Sequence, residues 1–222
     1  KTQANFLFEA PEMEYVASAL ADMTSDVFGE AIKMNLSSLD ATHGINFILD
    51  ETIPEEGYRM EVVAETIDIA SSGAAGAFYA LQTLRQLMSA EAFTAEDVGT
   101  VEIPAVRIED APMLGYRGTM LDVGRYFFPV EDVKNVLDIM AMHKLNTFHW
   151  HLTEDQGWRI QIDKYPRLTE VGSMRKRTII GKDPNGEYDE NTPFDTIPHG
   201  GFYTKDQIRE VVQYAAERFI TV

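Results

Sequence analysis

Asn146-Thr-Phe-His-Trp-His-Leu-Thr-Glu-Asp-Gln-Gly-Trp-Arg159 begins as an apolar, aromatic run and ends among charged residues. Asn146 to Leu152 reads as a short buried strand. His149 and His151 stand two apart, so on a strand they share a face. Glu154, Asp155, Trp158 and Arg159 then crowd the loop that follows. Parallel α/β folds place their chemistry just past the C-terminal ends of strands, where such clusters collect.

Working outward, the pattern on either side is strand, helix, strand, helix. Gly115 to Val123 reads as a first strand. Pro129 suits the first helical position, and Glu131 and Asp132 suit the positive end of the helix dipole. Val130, Val133, Val136, Leu137 and Met140 form one apolar stripe. After the second strand a loop runs from about Gly172 to Gly201 with three prolines. A loop of that length in a compact domain usually has a function. Thr204 and Gln207 have capping-box spacing and open a helix to about Arg218. Phe219 to Val222 begins a third strand. Repeated βα units mean parallel strands, most simply a (β/α)8 TIM barrel, which takes about 250 residues. Two βα units and the start of strand three are the expected content of residues 111–222, a truncated barrel.

The first half reads differently. Val16, Leu20, Met23 and Val27 repeat at helical spacing, with Gly29 as a C-terminal cap. Ile45 to Leu49 reads as a strand, and Asp50 to Gly57 as a turn. Tyr58 to Val63 and Thr66 to Ala70 read as a hairpin. Gly73 to Ala90 is a second amphipathic helix with Phe78, Leu81, Leu84 and Met88 on one stripe. Ala92 to Thr100 is a polar loop. Val101 to Glu109 is extended, and Pro104 confines it to an edge or connector. Residues 1–110 are thus expected to form an α+β accessory domain, a small antiparallel sheet with helices on one face. The domain boundary is placed at Ala111 and Pro112.

Composition bounds the function. With 222 residues and 45% hydrophobic content, the chain can bury a sizeable core. Lys and Arg number 19 against 36 Asp and Glu, so the net charge is 19 − 36 = −17. This argues against nucleic acid or an anionic membrane as a partner, since both need clustered cations. A neutral sugar is compatible with it. There is no cysteine, hence no disulfide, thiolate metal site or cysteine nucleophile. No apolar run approaches the ~20 residues that span a bilayer. The chain starts at Lys1 without an initiator Met or signal peptide, so an engineered or a processed N-terminus is expected.

Two further segments carry a resemblance together with the first: Tyr116-Arg-Gly-Thr-Met-Leu-Asp-Val-Gly-Arg-Tyr-Phe-Phe-Pro129 and His199-Gly-Gly-Phe-Tyr-Thr204. In this order and spacing the three resemble the start of a family-20 glycoside hydrolase, a β-N-acetylhexosaminidase. Gly76-Ala-Phe-Tyr-Ala-Leu-Gln-Thr-Leu-Arg-Gln-Leu87 resembles the second helix of that family's accessory domain. The resemblance implies exo-hydrolysis of terminal GlcNAc or GalNAc, with the substrate's own acetamido oxygen as nucleophile. The family's acid Glu and acetamido-orienting Asp follow strand four, so no catalytic residue is expected within these 222 residues. The 222-residue chain alone is therefore expected to be inactive. Glu154-Asp155 is not that pair.

What the resemblance carries over is a supporting set. Arg117 matches the arginine that grips the innermost sugar's hydroxyls. A guanidinium suits this because it offers fixed donors and stays charged. Asp155 matches an aspartate at the pocket edge, and Glu154 stands where many relatives have a second Asp, which favours Asp155 of the two; His151 and His149 are counted with them around the pocket. The same resemblance implies N-acetylhexosamine-containing glycans as partners, no cofactor, and a periplasmic or extracellular location. Each residue also has a structural reading: an ion pair for Arg117, a solvated loop carboxylate for Asp155 and Glu154, hydrogen-bonded core for His149 and His151. Trp150 and Trp158 read as packing residues. Arg125 and Arg159 are expected to anchor loops through carboxylates. Two other functions compete: a non-catalytic carbohydrate-binding or scaffold module, and a metal-dependent barrel hydrolase using the His-x-His strand. An open barrel edge predicts self-association.

Overall fold

The computed structural model describes residues 3–7, 12–29, 33–35, 43–94, 100–181 and 189–222. Two expected loops, Ala92 to Thr100 and Gly172 to Gly201, therefore lie partly outside the described residues. The chain forms two compact units, Lys1–Tyr116 with Met142–Lys144, and Arg117–Ala141 with Leu145–Val222. The sequence reading places the change of domain at Ala111 and Pro112, and the units divide after Tyr116.

In the first unit the elements are β1 (Gln3–Phe6), α1 (Met13–Phe28), β2 (Lys33–Asn35), β3 (Gly44–Leu49), β4 (Tyr58–Val62), β5 (Thr66–Ser71), α2 (Ala74–Leu87) and β6 (Val106–Asp110). A short 3-10 turn, Ala90–Phe93, follows α2. Helical spacing of apolar residues makes α1 amphipathic, and it buries Val16, Leu20, Met23 and Val27. In α2 the buried residues include Ala77, Phe78, Leu81 and Leu84. The helices pack on each other, and α2 also packs on β4 and β5. Alternation along the strands sends Phe6, Phe47, Met60 and Ile69 into the core, all 3% exposed or less. Phe6 stacks on Phe47 with ring centroids 4.7 Å apart. Each such side chain contributes about 1.5–3 kcal/mol by leaving water.

The expected antiparallel sheet needs correction. Among the described residues the sheet is six-stranded and mixed, in the order β2-β1-β3-β5-β4-β6. The hairpin β4–β5 and the edge strand β6 are antiparallel. β1, however, pairs in parallel with both β2 and β3, and β3 pairs in parallel with β5. Between β1 and β2 the cause is α1: a chain that leaves a strand and returns through a helix re-enters the sheet from the same end, so the two strands run parallel.

The second unit contains β7 (Gly118–Asp122), α3 (Val130–Met142), β8 (Thr147–His151), β9 (Thr153–Glu154), β10 (Gly157–Trp158), α4 (Arg167–Glu170), β11 (Met174–Arg175), β12 (His199–Gly200) and α5 (Lys205–Ala216). β7 and β8 pair in parallel, with Gly118 opposite Thr147 and Asp122 opposite His151. Thr221 then bridges Thr147 in parallel. The backbone N–H of Phe148 donates to Thr221 at 2.7 Å, and that of Thr221 to Asn146 at 2.9 Å. Strand, helix, strand, helix and a third parallel extended segment thus follow one another. Val133, Leu137 and Met140 of α3 and Val211 and Ala215 of α5 are buried. The expected capping box closes α5 at its start. The Gln207 N–H donates to Thr204 Oγ1 at 3.2 Å and the Thr204 N–H to Gln207 Oε1 at 2.9 Å.

The stretch expected as a loop from Gly172 to Gly201 is partly paired. β11 and β12 are antiparallel, and Ile179 bridges Phe194. Thr153–Glu154 and Gly157–Trp158 likewise form a tight hairpin where a loop was expected. Among the described residues no helix is long and apolar enough to cross a membrane.

Candidate functional site

The two faces of β8 differ. Phe148 and Trp150 are 1% and 7% exposed, whereas His149 is exposed and His151 half-buried. Alternation therefore puts the histidines together on the side away from that packing, ring centroids 5.5 Å apart. In register, Met120 and Asp122 of β7 lie beside His149 and His151. At the C-terminal end the backbone N–H groups of Val123 and Gly124 both donate to the His151 carbonyl at 3.1 Å. The chain leaving β7 is thereby folded over the end of β8.

Four charged or polar side chains meet there. Arg125 donates from its backbone N–H to Asp122 Oδ1 at 2.9 Å and pairs through its guanidinium with Asp122 Oδ2 at 2.5 Å. A second guanidinium nitrogen reaches Glu154 Oε1 at 3.0 Å. His151 Nε2 meets the same Glu154 oxygen at 3.0 Å. Burial works against ionisation of Asp122, but the Arg125 backbone and guanidinium outweigh it and hold its carboxyl below the usual carboxylate range. Gly124 allows the approach: a Cβ there would come within 3.1–3.3 Å of the Glu154 backbone nitrogen and side chain.

Glu154, half-buried, is thus the member of the Glu154-Asp155 pair inside the network. Asp155 is exposed and lies close enough to Arg125 to contribute to its charge balance. Arg117 lies just ahead of β7, five residues before Asp122, about 16 Å along the strand. Its carbonyl accepts from the Asn146 and Thr147 N–H groups, and its own N–H donates to Asn146 Oδ1 at 3.0 Å. The structure therefore gathers Glu154 and His151 at one end, keeps His149 mid-strand beside Met120, and leaves the Arg117 backbone at the other end.

Arg125 anchors its loop through carboxylates, as expected. Arg159 does not, and this corrects the expectation. It is 0% exposed and, among the described residues, donates only to backbone carbonyls: Val123 at 2.9 Å, Gly124 at 3.1 Å, Ser173 at 2.6 Å and Gly201 at 3.0 Å. The guanidinium fork matches several oxygens at once, and desolvation makes each bond count. Burial, then repulsion from Arg175, lowers its pKa. A Cβ on Gly157 would lie 2.3 Å from the guanidinium, so only glycine leaves it room.

The rest of the Val123–Phe128 segment is held in the same way. Arg175 donates to the Arg125 carbonyl at 2.7 Å. The Phe127 N–H donates to His199 Nε2 at 2.9 Å, and the Tyr203 hydroxyl donates to the Phe128 carbonyl at 2.5 Å. Tyr126 stacks on His199 with centroids 3.8 Å apart. Sequence reasoning missed Asp122, Arg175, His199 and Tyr203 as parts of this assembly. The available signals were the Asp122–Arg125 spacing of three and the glycine two residues ahead of Arg159. Trp150 packs on Tyr203 at 4.5 Å, in keeping with a packing role. Among the described residues no group of three or more His, Asp or Glu side chains is placed to hold a metal ion.

Parallel strands joined through helices, with a charged cluster at their C-terminal ends, define a βα-type unit that follows an α+β domain in sequence. The models of the glycosyl hydrolase family 20 match this division: domain 2 over residues 6–111 and the catalytic domain over residues 114–222. A β-hexosaminidase of Porphyromonas gingivalis is 44% identical over 216 residues, covering 96% of this chain and 26% of that protein. A β-N-acetylhexosaminidase of Cellulomonas fimi is 34% identical, covering 96% of this chain and 39% of that protein. Among solved structures, a family-20 exo-β-N-acetylglucosaminidase of Vibrio harveyi in complex with N-acetylglucosamine has TM-score 0.79 at 33% identity, over 100% of this chain and 32% of that one. The β-N-acetylhexosaminidase of Streptomyces coelicolor has TM-score 0.79 at 33% identity, over 99% of this chain and 40% of that one. The chain belongs to glycosyl hydrolase family 20, and comprises its accessory domain and part of its catalytic domain. It spans about a quarter to two fifths of the length of these relatives.

Proposed function

We propose that this chain serves an exo-acting β-N-acetylhexosaminidase that removes terminal GlcNAc or GalNAc from glycans by substrate-assisted retaining catalysis. The observation that carries the reading is the charged cluster Asp122–Arg125–Glu154–His151 at the C-terminal ends of two paired parallel strands. On this reading β7, β8 and the Thr221 segment are the first three strands of a (β/α)8 barrel. Arg117 sends its long side chain toward the sugar and grips its hydroxyls, and Asp155 lies at the pocket edge. The general acid and the acetamido-orienting Asp are supplied from outside these 222 residues. The site of action is periplasmic or extracellular.

The test is turnover of nitrophenyl N-acetylglucosaminide and N-acetylgalactosaminide. The 222-residue chain alone should show none, since loss of a general acid costs about 10²–10⁴-fold even before positioning is lost. A chain carrying the same residues within a whole family-20 catalytic domain should cleave at least the first substrate. In that enzyme Arg117→Lys should lower kcat/KM by about 10–100-fold, because Lys keeps the charge and loses the fork of donors. Wild-type kinetics in that variant would remove Arg117 from the site.

A further inference from the structure

His151 meets Glu154 Oε1 through Nε2 at 3.0 Å, and Arg125 reaches the same oxygen at 3.0 Å. An ionised carboxylate only accepts, so the ring nitrogen that faces it must carry a proton. In a neutral imidazole that leaves Nδ1 as the acceptor. Glu154 is itself held twice. Arg125 ties it to Asp122 at the end of the neighbouring strand, and Gly124 lets the backbone come close against its side chain. The segment bearing Arg125 is pinned in turn by Arg159, Arg175, His199 and Tyr203, so the guanidinium starts from a fixed backbone. Such bonding between side chains and backbone preorganises a site before any ligand arrives.

We infer that Asp122, Arg125 and Glu154 are positioning residues that lock the His151 imidazole in one tautomer, proton on Nε2, making Nδ1 a fixed acceptor for a hydroxyl of the bound sugar. The tautomer part stands on this geometry alone, and the sugar part rests on the hexosaminidase reading. A fixed acceptor suits a neutral sugar, whose hydroxyls all donate and whose orientation is set by where the acceptors lie. The positive charge of Arg125 is shared between the two carboxylates. Neither Asp122 nor Glu154 is then left to pull on the imidazole alone.

The first measurement is the ring ¹⁵N pattern of His151 at neutral pH in the 222-residue chain, assigned by its disappearance in His151→Asn. The unmodified chain should show an Nε2-protonated ring. Arg125→Gln should show both tautomers, and Arg125→Lys, which keeps a cationic donor, should return the single pattern. An Nδ1-protonated, doubly protonated or mixed ring in the unmodified chain overturns the proposal, as does an unchanged pattern in Arg125→Gln. The second measurement is steady-state kinetics of a complete family-20 catalytic domain carrying these residues. His151→Phe should raise KM for nitrophenyl N-acetylglucosaminide about tenfold, the worth of one hydrogen bond, with kcat changing less. An unchanged KM overturns the acceptor role. Absence of any hexosaminidase activity in the unmodified enzyme would overturn the enzymatic reading and the sugar part with it, leaving the tautomer measurement to be judged by itself.

Discussion

Arg159 does for the second unit what a carboxylate partner would do elsewhere, but with backbone oxygens. Val123 and Gly124 belong to the segment leaving β7, Ser173 and Gly201 to the excursion after β8, and one side chain joins them. Arg159→Met should therefore cost about 3–5 kcal/mol, since each buried carbonyl that loses its donor costs about 1–3 kcal/mol. Both tryptophans of the chain, Trp150 and Trp158, lie in this unit, so their fluorescence in urea reports its unfolding directly. A loss below 1 kcal/mol would contradict this account. His199 gives the pH counterpart. Its Nε2 accepts the Phe127 N–H, and protonation would set one N–H against another. Burial, with Arg175 and Arg159 nearby, pushes its pKa below the ordinary 6.5. The unfolded chain then binds more protons than the folded one, so stability is full above pH 6.5 and falls as pH drops below it. His199→Gln should flatten that decline between pH 7.5 and 5, and an unaltered slope would remove His199 as its source. Arg159 also marks a limit of legibility. A sequence shows that an arginine needs acceptors, and carboxylates are the natural guess. Only burial among chain turns reveals carbonyls.

Elements were legible where their signal is local. Val16, Leu20, Met23 and Val27 sit one helical turn apart, and α1 follows from them. Thr204 and Gln207 sit three apart, and both capping bonds form. Thr204→Ala should cost about 1 kcal/mol by removing the acceptor for Gln207 N–H, read from the same fluorescence transition. An effect under 0.3 kcal/mol would mean that packing of Val211 and Ala215 alone holds the start of α5. Pairing between distant strands was not legible. β1 has only four residues, too few for alternation to declare itself, and its partners β2 and β3 lie beyond a helix. The parallel half of the first sheet went unread for that reason, whereas the hairpin β4–β5, with partners adjacent in sequence, was read correctly. The candidate site divides along the same line. The shared face of His149 and His151 follows from a spacing of two, and the Asp122–Arg125–Glu154 bridge needs the fold.

At the scale of the molecule two opposing terms decide whether copies of this chain associate. Among the described residues β7 pairs with β8 alone, so its other edge offers unpaired backbone groups. On that strand Met120 is 53% exposed, beside the exposed His149. An open edge with an apolar residue on it favours edge-to-edge pairing. Against this stands a net charge of −17, which makes two copies repel. Screening changes only the second term, because the Debye length falls from about 30 Å at 0.01 M salt to about 3 Å at 1 M. Salt should therefore promote association, the reverse of what a salt-bridged interface would show. Sedimentation velocity at low micromolar concentration should find monomer in 0.01 M salt and a growing dimer fraction toward 0.5 M. Met120→Lys, which puts a charge on the strand beside its open edge, should suppress the dimer at every salt concentration. A monomer throughout would mean that the edge is too short or too twisted to pair. A dimer that dissolves as salt rises would place the contact on charged surfaces, away from β7.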